Sequence, residues 1–530
     1  MARPPELSDD SVPSERVLMT RSSRLVLLVA VLLLAVLASD GGTALGRSSP
    51  DFDAVDRYIG RQMAANRVPG LALAITRGAE VIYLKGYGTA GDKDPMKPET
   101  QLYVASLSKG FTALAVMQLV EEGKIGLDEP VRAYLPDFTT NDRRLSDQIT
   151  VRELLNQTSG LSDAGFPAYT LPQPDSLGER VESLRDARLV SKPGTEFHYT
   201  DPNYAVLARV VEVASGKSFG EYLQDRVFGP LEMDSTTSVL TSGEAPRAAP
   251  DLAQGHVLAF GVPIERGEMD GFLGGSSGVI STAEDMANYL VMQNSGGRFG
   301  DADLVSQESV SLMHTPPRGI NGSYAMGWMA TPTAKPRVIE HNGVLSAFHA
   351  DAALLPDEGY GVVLLYGQSY ALADYAGIKQ GLLDLLVGNG PDSGGLGAGK
   401  VGLILAALAL VTTALQVRGL LRLRKWAGRV GDRRFWRFAQ GIAWKFVPAA
   451  LLVGSQPLVT LFAGRVFSYP QLFWAMPDVV SWLILAAVLG GAAGTAHVLI
   501  VARRIVSRRR SEAEGRRSPP ETRASGRVPM

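Results

Sequence analysis

The sequence predicts an α/β protein of the α+β kind: an antiparallel sheet flanked by helices, a helical subdomain, and then an all-α transmembrane domain. Three observations predict it. Strand-like runs stand at both ends of the segment 51–387 with helical and loop sequence between them, so both ends of that segment complete one sheet. Charge divides the chain: residues 51–400 hold 28 Lys+Arg against 44 Asp+Glu, whereas residues 401–530 hold 19 against 5. Three uncharged apolar runs follow residue 400. At 530 residues the chain exceeds one ordinary domain, and its overall charge of −2 conceals an acidic part and a basic part. The absence of cysteine excludes a disulfide framework, a thiolate zinc site and lipoprotein-type attachment.

Residues 1–46 read as a leader. Arg21 and Arg24 precede 14 uncharged residues, Leu25 to Ala38. As a helix this run reaches about 21 Å, short of the roughly 30 Å hydrocarbon core. With small residues at Ala38 and Ser39, it suits a secretory signal or a signal anchor.

Residues 47–387 form the expected catalytic domain. A helix is expected near 52–66, then strands LALAIT (71–76) and VIYLKGYG (81–88) around a turn at Arg77-Gly78. From Phe111 the apolar spacing of Leu114, Ala115, Met117, Leu119 and Val120 reads as an amphipathic helix. Late in the segment, SYAMGWMAT (323–331), RVIEHNG (337–343), AFHADAALLP (347–356) and YGVVLLYG (360–367) read as strands, and a helix near 372–387 closes the domain.

The linker 388–400, six of whose thirteen residues are glycine, precedes the transmembrane domain 401–502. Its three spans are 401–417, 446–463 and 480–502, and a basic tail (503–530) follows. Eight Lys/Arg lie in 418–437 and more follow the third span, whereas the loop between spans two and three has only Arg465 and Asp478. By the positive-inside rule the basic loop and tail face the cytoplasm. The expected location is therefore the cytoplasmic membrane, multi-pass, with the acidic domain on the outer side. Few contacts are expected across the glycine-rich boundary, so the spans read as an anchor. The arginine runs set topology, and no nucleic-acid partner is expected.

The six histidines have no HExxH or other metal spacing, and GFLGGSSGVIS (271–281) lacks the context of a phosphate loop. No metal and no cofactor are expected. Nucleophilic catalysis remains. In ASLSKGF (105–111), Ser106 and Lys109 are three apart and share a helix face. A serine needs a base. Burial and the positive helix end are expected to push the Lys109 pKa down far enough for it to serve. Ser108 is the competing serine.

Two further segments, FHYTDPNYAVLARVVEVASG and VIEHNGVLSAFHADAALLP, follow ASLSK in order. Together they resemble the S-x-x-K, Y-x-N and [KH]-x-G motifs of the serine β-lactamase and penicillin-binding-protein superfamily, in its class C-like branch. ITVRELLNQTSGL (149–161) and GGSSGVISTAEDMANYL (274–290) are similar too, and the resemblance covers roughly 51–387. It implies a β-lactamase/transpeptidase-like fold and assigns roles. Ser106 is the acylated nucleophile, Lys109 its proton partner, and Tyr199 the general base and acid. His341 bonds the tyrosine or substrate, the amides of Ser106 and Val344 (after Gly343) form the oxyanion hole, and Asp201 contacts substrate.

Two positions depart from the pattern. Asp201 stands where Asn is usual, and an ionised carboxylate accepts but cannot donate. His341 replaces Lys, which removes a fixed positive charge. Both changes point away from a dedicated β-lactamase. The expected function is a membrane-anchored serine hydrolase acting on D-amino-acid peptides or acyl esters. The alternative is a penicillin-binding receptor or scaffold that is acylated without turnover. The expected partners are a small-molecule or peptide substrate and the lipid bilayer.

Overall fold

The computed structural model describes residues 50–331, 335–391, 395–423, 441–463 and 465–515. The leader, most of the basic loop and the end of the tail lie outside these residues.

Helix α1 (Phe52–Asn66) opens the domain, capped by the Asp51 carboxylate on the Ala54 amide. Strands β1 (Gly70–Arg77) and β2 (Glu80–Gly91) form a hairpin, and β3 (Asp94–Pro95) pairs with the end of β2. Helix α2 (Ser108–Glu121) carries Lys109, α3 (Pro202–Ser215) follows Asp201, and α4 (Ala283–Asn294) lies under the sheet. The chain then returns to the sheet through β4 (Tyr324–Ala325), β5 (Trp328–Ala330), β6 (Ile339–Val344), β7 (His349–Leu355) and β8 (Tyr360–Tyr366). The order is β4-β5-β6-β7-β8-β1-β2-β3, so first and last strands meet at the β8–β1 pair, Leu73 opposite Leu364. Helix α5 (Tyr375–Leu386) closes the domain.

Both sheet faces are covered, and strand alternation sorts the side chains between them. Leu71, Leu73 and Ile75 point into the core shared with α1 and α5. Ala72 and Ala74 point into the larger core shared with α2, α3 and α4. Full burial of each large aliphatic side chain stabilises the fold by about 1.5–3 kcal/mol.

Two local expectations are corrected. Residues 323–331 are not one strand but the β4–β5 hairpin, turned by Met326 and Gly327 with φ of 36° and 91°. A Cβ on Gly327 would lie 2.9 Å from the Gly110 Cα, so the hairpin tip packs directly on α2, where only glycine fits. The second correction concerns α2, which is buried on every side of its first three turns rather than on one stripe. α3 covers one side, and Phe228, Tyr289 of α4 and the β4–β5 tip cover others, so the residues between the apolar positions, Lys109, Gly110 and Thr112, are also fully enclosed.

Among the described residues, three helices are long and apolar enough to cross a membrane: Ala398–Leu421, Gly441–Phe462 and Pro477–Ser511. They contain α6 (Ala398–Leu421), all but the last residue of α7 (Val447–Ala463) and most of α9 (Pro477–Gly515), with the short α8 (Tyr469–Ala475) between the last two.

The expectation of few contacts across the boundary is overturned. The Ala398 amide donates to Asn66 Oδ1 at 3.0 Å, and Gly402 packs on Gly261 so closely that a Cβ would meet its nitrogen at 2.3 Å. Tyr370 donates to buried Asp478 at 2.6 Å, and the Ala371 amide to the Ala475 carbonyl at 2.9 Å. The Arg266 guanidinium lies 4.0 Å from the Trp474 ring centre. Asp478, at the start of α9, thus meets Tyr370 instead of water. The contacts of Trp474, Ala475 and Asp478 place the α7–α9 connection against residues 50–387.

Candidate active site

Ser106 sits on a short turn, Ala105–Leu107, that runs directly into α2. Ala105 has φ of 50°, a left-handed conformation that costs a non-glycine residue about 1–2 kcal/mol. Ser106 does not cap the helix; its Oγ instead accepts from Lys109 Nζ at 3.0 Å. Ser108 is fully engaged, donating to the Ala105 carbonyl at 2.6 Å and accepting from the Val279 amide at 3.0 Å. Of the two serines, only Ser106 faces the lysine.

Lys109 is 0% exposed, and all three ammonium donors are used: Ser106 Oγ, Asp201 Oδ1 at 2.5 Å and the Ser276 carbonyl at 3.0 Å. The Ser276 carbonyl comes from the glycine-rich stretch that offered no phosphate loop. There Gly275, at φ of 73°, turns so close to α3 that a Cβ would lie 2.4 Å from the Tyr204 carbonyl.

The expected lowering of the Lys109 pKa is not found. Burial is the largest single influence and lowers it, but the Asp201 carboxylate and Tyr199 together hold the ammonium above the ordinary lysine range. Burial likewise raises Asp201, but Lys109 and then Arg465 outweigh it and hold the carboxyl far below the usual carboxylate range. Position 201 decides the matter: a neutral Asn would offer the lysine no opposite charge.

The Tyr199-Thr200-Asp201 segment is fixed by Gln157 and Asp163. Gln157 Oε1 accepts from the Thr200 amide at 3.1 Å and from Asn203 Nδ2 at 2.6 Å. Asp163 Oδ1 accepts from Thr200 Oγ1 at 2.6 Å. The Tyr199 ring packs edge-on to Tyr324, and its centre lies 4.9 Å from Lys109 Nζ.

His341, on β6, is 2% exposed, and its ring centre lies 6.1 Å from that of Tyr199. Its Nδ1 is 2.7 Å from the Asn342 carbonyl, so the proton belongs there and Nε2 is an acceptor, buried and without a partner among the described residues. Burial first, then the Lys109 cation, push its pKa down to about 3, so the ring is neutral at physiological pH. The neutral form is favoured by folding. Its contribution is therefore present above the unfolded value near 6.5 and lost as pH falls toward 3. We expect the wild type to lose about 2–3 kcal/mol more than His341→Asn between pH 7.5 and 4.5. Parallel denaturation curves at the two pH values check this, and equal losses would refute it.

Gly343 lets β6 touch the Ser106 turn: a Cβ there would lie 2.4 Å from the Val104 carbonyl and 3.1 Å from the Ser106 nitrogen. The next residue, Val344, ends β6 with its side chain 55% exposed. Ser106, Lys109, Tyr199, Asp201, His341 and Gly343–Val344 thus converge on one place.

Sequence reading missed Arg465, Asp163 and Tyr169. Arg465, between α7 and α8, donates from its NH2 group to Asp201 Oδ2 at 2.7 Å and from Nε to Asp163 Oδ2 at 3.0 Å. Tyr169 also donates to Asp201 Oδ2. One signal was available: Arg465 is a lone cation in the short loop on the side where the positive-inside rule disfavours one.

A serine on a helix-opening turn, bonded to a buried lysine against an eight-stranded antiparallel sheet, defines the class of serine-nucleophile folds shared by β-lactamases and penicillin-binding proteins. The chain belongs to the beta-lactamase family, whose model matches residues 55–385. Protein flp of Staphylococcus aureus (strain MW2) is 28% identical over 316 residues, 59% of this chain and 62% of the relative. The unguisins hydrolase ungD' of Aspergillus campestris is 26% identical over 333 residues, 58% of this chain and 60% of the relative. The chain thus spans less than two thirds of the length of these curated relatives. Among solved structures, the octameric penicillin-binding protein homologue from Pyrococcus abyssi is 27% identical with a TM-score of 0.56, covering 65% of this chain and 79% of that one. EstCE1, a hydrolase with promiscuous acyltransferase activity, shares the fold at 22% identity and a TM-score of 0.53, covering 64% and 98%. One of these curated relatives is thus named a hydrolase.

Proposed function

We propose that this protein is a membrane-anchored serine hydrolase that cleaves an amide or ester through an acyl-enzyme on Ser106. The substrate class is a D-amino-acid peptide or an acyl ester. The observation that carries the reading is the 3.0 Å bond from fully buried Lys109 to Ser106 Oγ, because a structural role would not require a cation enclosed against a serine. Lys109, held charged by Asp201, orients the hydroxyl and stabilises negative charge developing on Oγ. Tyr199 takes the Oγ proton and returns it to the leaving group, then repeats both steps with water during deacylation. The Ser106 and Val344 amides receive the oxyanion, each donor contributing about 3 kcal/mol in enzymes of this kind. Neutral His341 offers Nε2 as an acceptor to Tyr199 or substrate.

The test is a substrate screen of the full-length protein in detergent with D-peptides, acyl esters and a chromogenic cephalosporin. Turnover and the covalent mass of the Ser106 peptide are both read. Turnover of a peptide or ester with a transient adduct supports hydrolysis, and a lasting adduct without turnover favours a receptor instead.

The basic loop 418–437 and the tail support an orientation with the catalytic domain outside the cytoplasmic membrane. A reporter active only in the cytoplasm should work when inserted near Gly431 or after Arg510 and be silent near Gly388. The reverse pattern at Gly431 would overturn this topology.

A further inference from the structure

The membrane-domain loop does more than touch the catalytic domain. Arg465 emerges after α7, three residues before Ser468, whose side chain forms a capping box with Gln471 and fixes the start of α8. Its guanidinium carbon lies 5.2 Å from the ring centre of Tyr199 and 5.6 Å from that of Tyr169. Two of its nitrogens bind Asp201 and Asp163; NH1 has no hydrogen-bond partner among the described residues, and the side chain is 24% exposed. The same carboxylate that Arg465 binds through Oδ2 binds Lys109 through Oδ1, and Lys109 touches the nucleophile.

Resting on the hydrolase reading above, we propose that Arg465 is a substrate-binding residue supplied by the membrane domain. It presents N–H donors beside Ser106 to a carbonyl oxygen of the substrate other than the one attacked. The chemistry follows from position 201. An ionised carboxylate accepts hydrogen bonds only, and a guanidinium docked on it turns that point of the site into a donor. Charge selects the acceptor. Lys109 and Arg465 balance Asp201 and Asp163, and His341 is neutral. The cluster therefore has no net charge with which to attract a free carboxylate. A neutral amide carbonyl, as in an N-acylated amino-acid ester or peptide, fits it better. The spans are then part of the active site rather than an anchor alone.

The experiment compares full-length wild type, Arg465→Met, and the double variant Asp201→Asn/Arg465→Met, all in the same detergent. Two probes are used: p-nitrophenyl acetate, which has no second carbonyl, and the p-nitrophenyl ester of N-acetyl-D-alanine, which has one. The ratio of kcat/KM for the second probe to that for the first should fall at least tenfold in Arg465→Met. It should recover to within about threefold of wild type in the double variant, where the introduced carboxamide supplies an N–H donor and the buried charges again balance more closely. An unchanged ratio with both rates lowered together marks a structural role and overturns the proposal. A rise in both rates marks a plug and also overturns it. Should Arg465→Met fail to take up a fluorophosphonate on Ser106, Arg465→Lys and the double variant are judged by the same ratio. A wild type that takes up no label and cleaves neither ester refutes the hydrolase reading, a different result from an unchanged ratio.

Discussion

Ser106→Ala is expected to abolish covalent labelling by a fluorophosphonate and to lower turnover of any ester or peptide substrate by at least roughly 10⁴-fold. Losing the nucleophile of a serine hydrolase leaves only binding and oxyanion stabilisation, which retain a small part of the rate. The neighbouring hydroxyl gives no substitute. Ser108 Oγ is held between the Ala105 carbonyl and the Val279 amide, inside the protein and away from Lys109 Nζ. Removing a hydroxyl from a turn that is already formed by backbone bonds should leave stability within about 1 kcal/mol of wild type. Mass spectrometry of the labelled peptide and a melting curve check both parts. Labelling on Ser108 in the variant would sink the assignment of Ser106.

Lys109→Met is expected to damage activity and stability together, in a pattern that separates the two. The substitution nearly preserves volume, so packing changes little. Its cost is electrostatic: Asp201, 8% exposed, and Asp163, 2% exposed, would share the single cation Arg465. Breaking a buried ion pair from one side costs about 3–5 kcal/mol. The lost cation at Ser106 Oγ should lower turnover by about 10³-fold or more. Adding Asp201→Asn removes the orphaned charge, so Lys109→Met/Asp201→Asn should regain most of the stability and none of the activity. Because Asp201 is held far below the ordinary carboxylate range, its contribution is complete above about pH 4 and lost only in stronger acid. The stability gap should therefore be constant from about pH 5 to 8. Equal melting of Lys109→Met and wild type at pH 7 would overturn the ion-pair account.

Much of this was written in local sequence. The apolar runs at 71–76 and 360–367 read as strands, and the β8–β1 pair joins the two ends of the domain as that reading required. Ser106 and Lys109 were legible as a pair from their three-residue spacing on a helix, whereas Tyr199 and His341 were legible only through the resemblance to the Y-x-N and [KH]-x-G motifs. Local pattern could not show that α2 is enclosed on all sides, because that depends on how α3 and α4 pack against it. It could not give the protonation of Lys109 either. A lysine at a helix start reads as disfavoured, and only the position of Asp201, 92 residues away, reverses the sign. The largest difference came from Arg465, 264 residues from its partner Asp201. Sequence identified the three long apolar helices by their hydropathy, which is a property of each segment alone. The docking of the α7–α8 loop into the site is a property of the assembled chain. It follows from ion pairs among residues too far apart in sequence for any local period to connect.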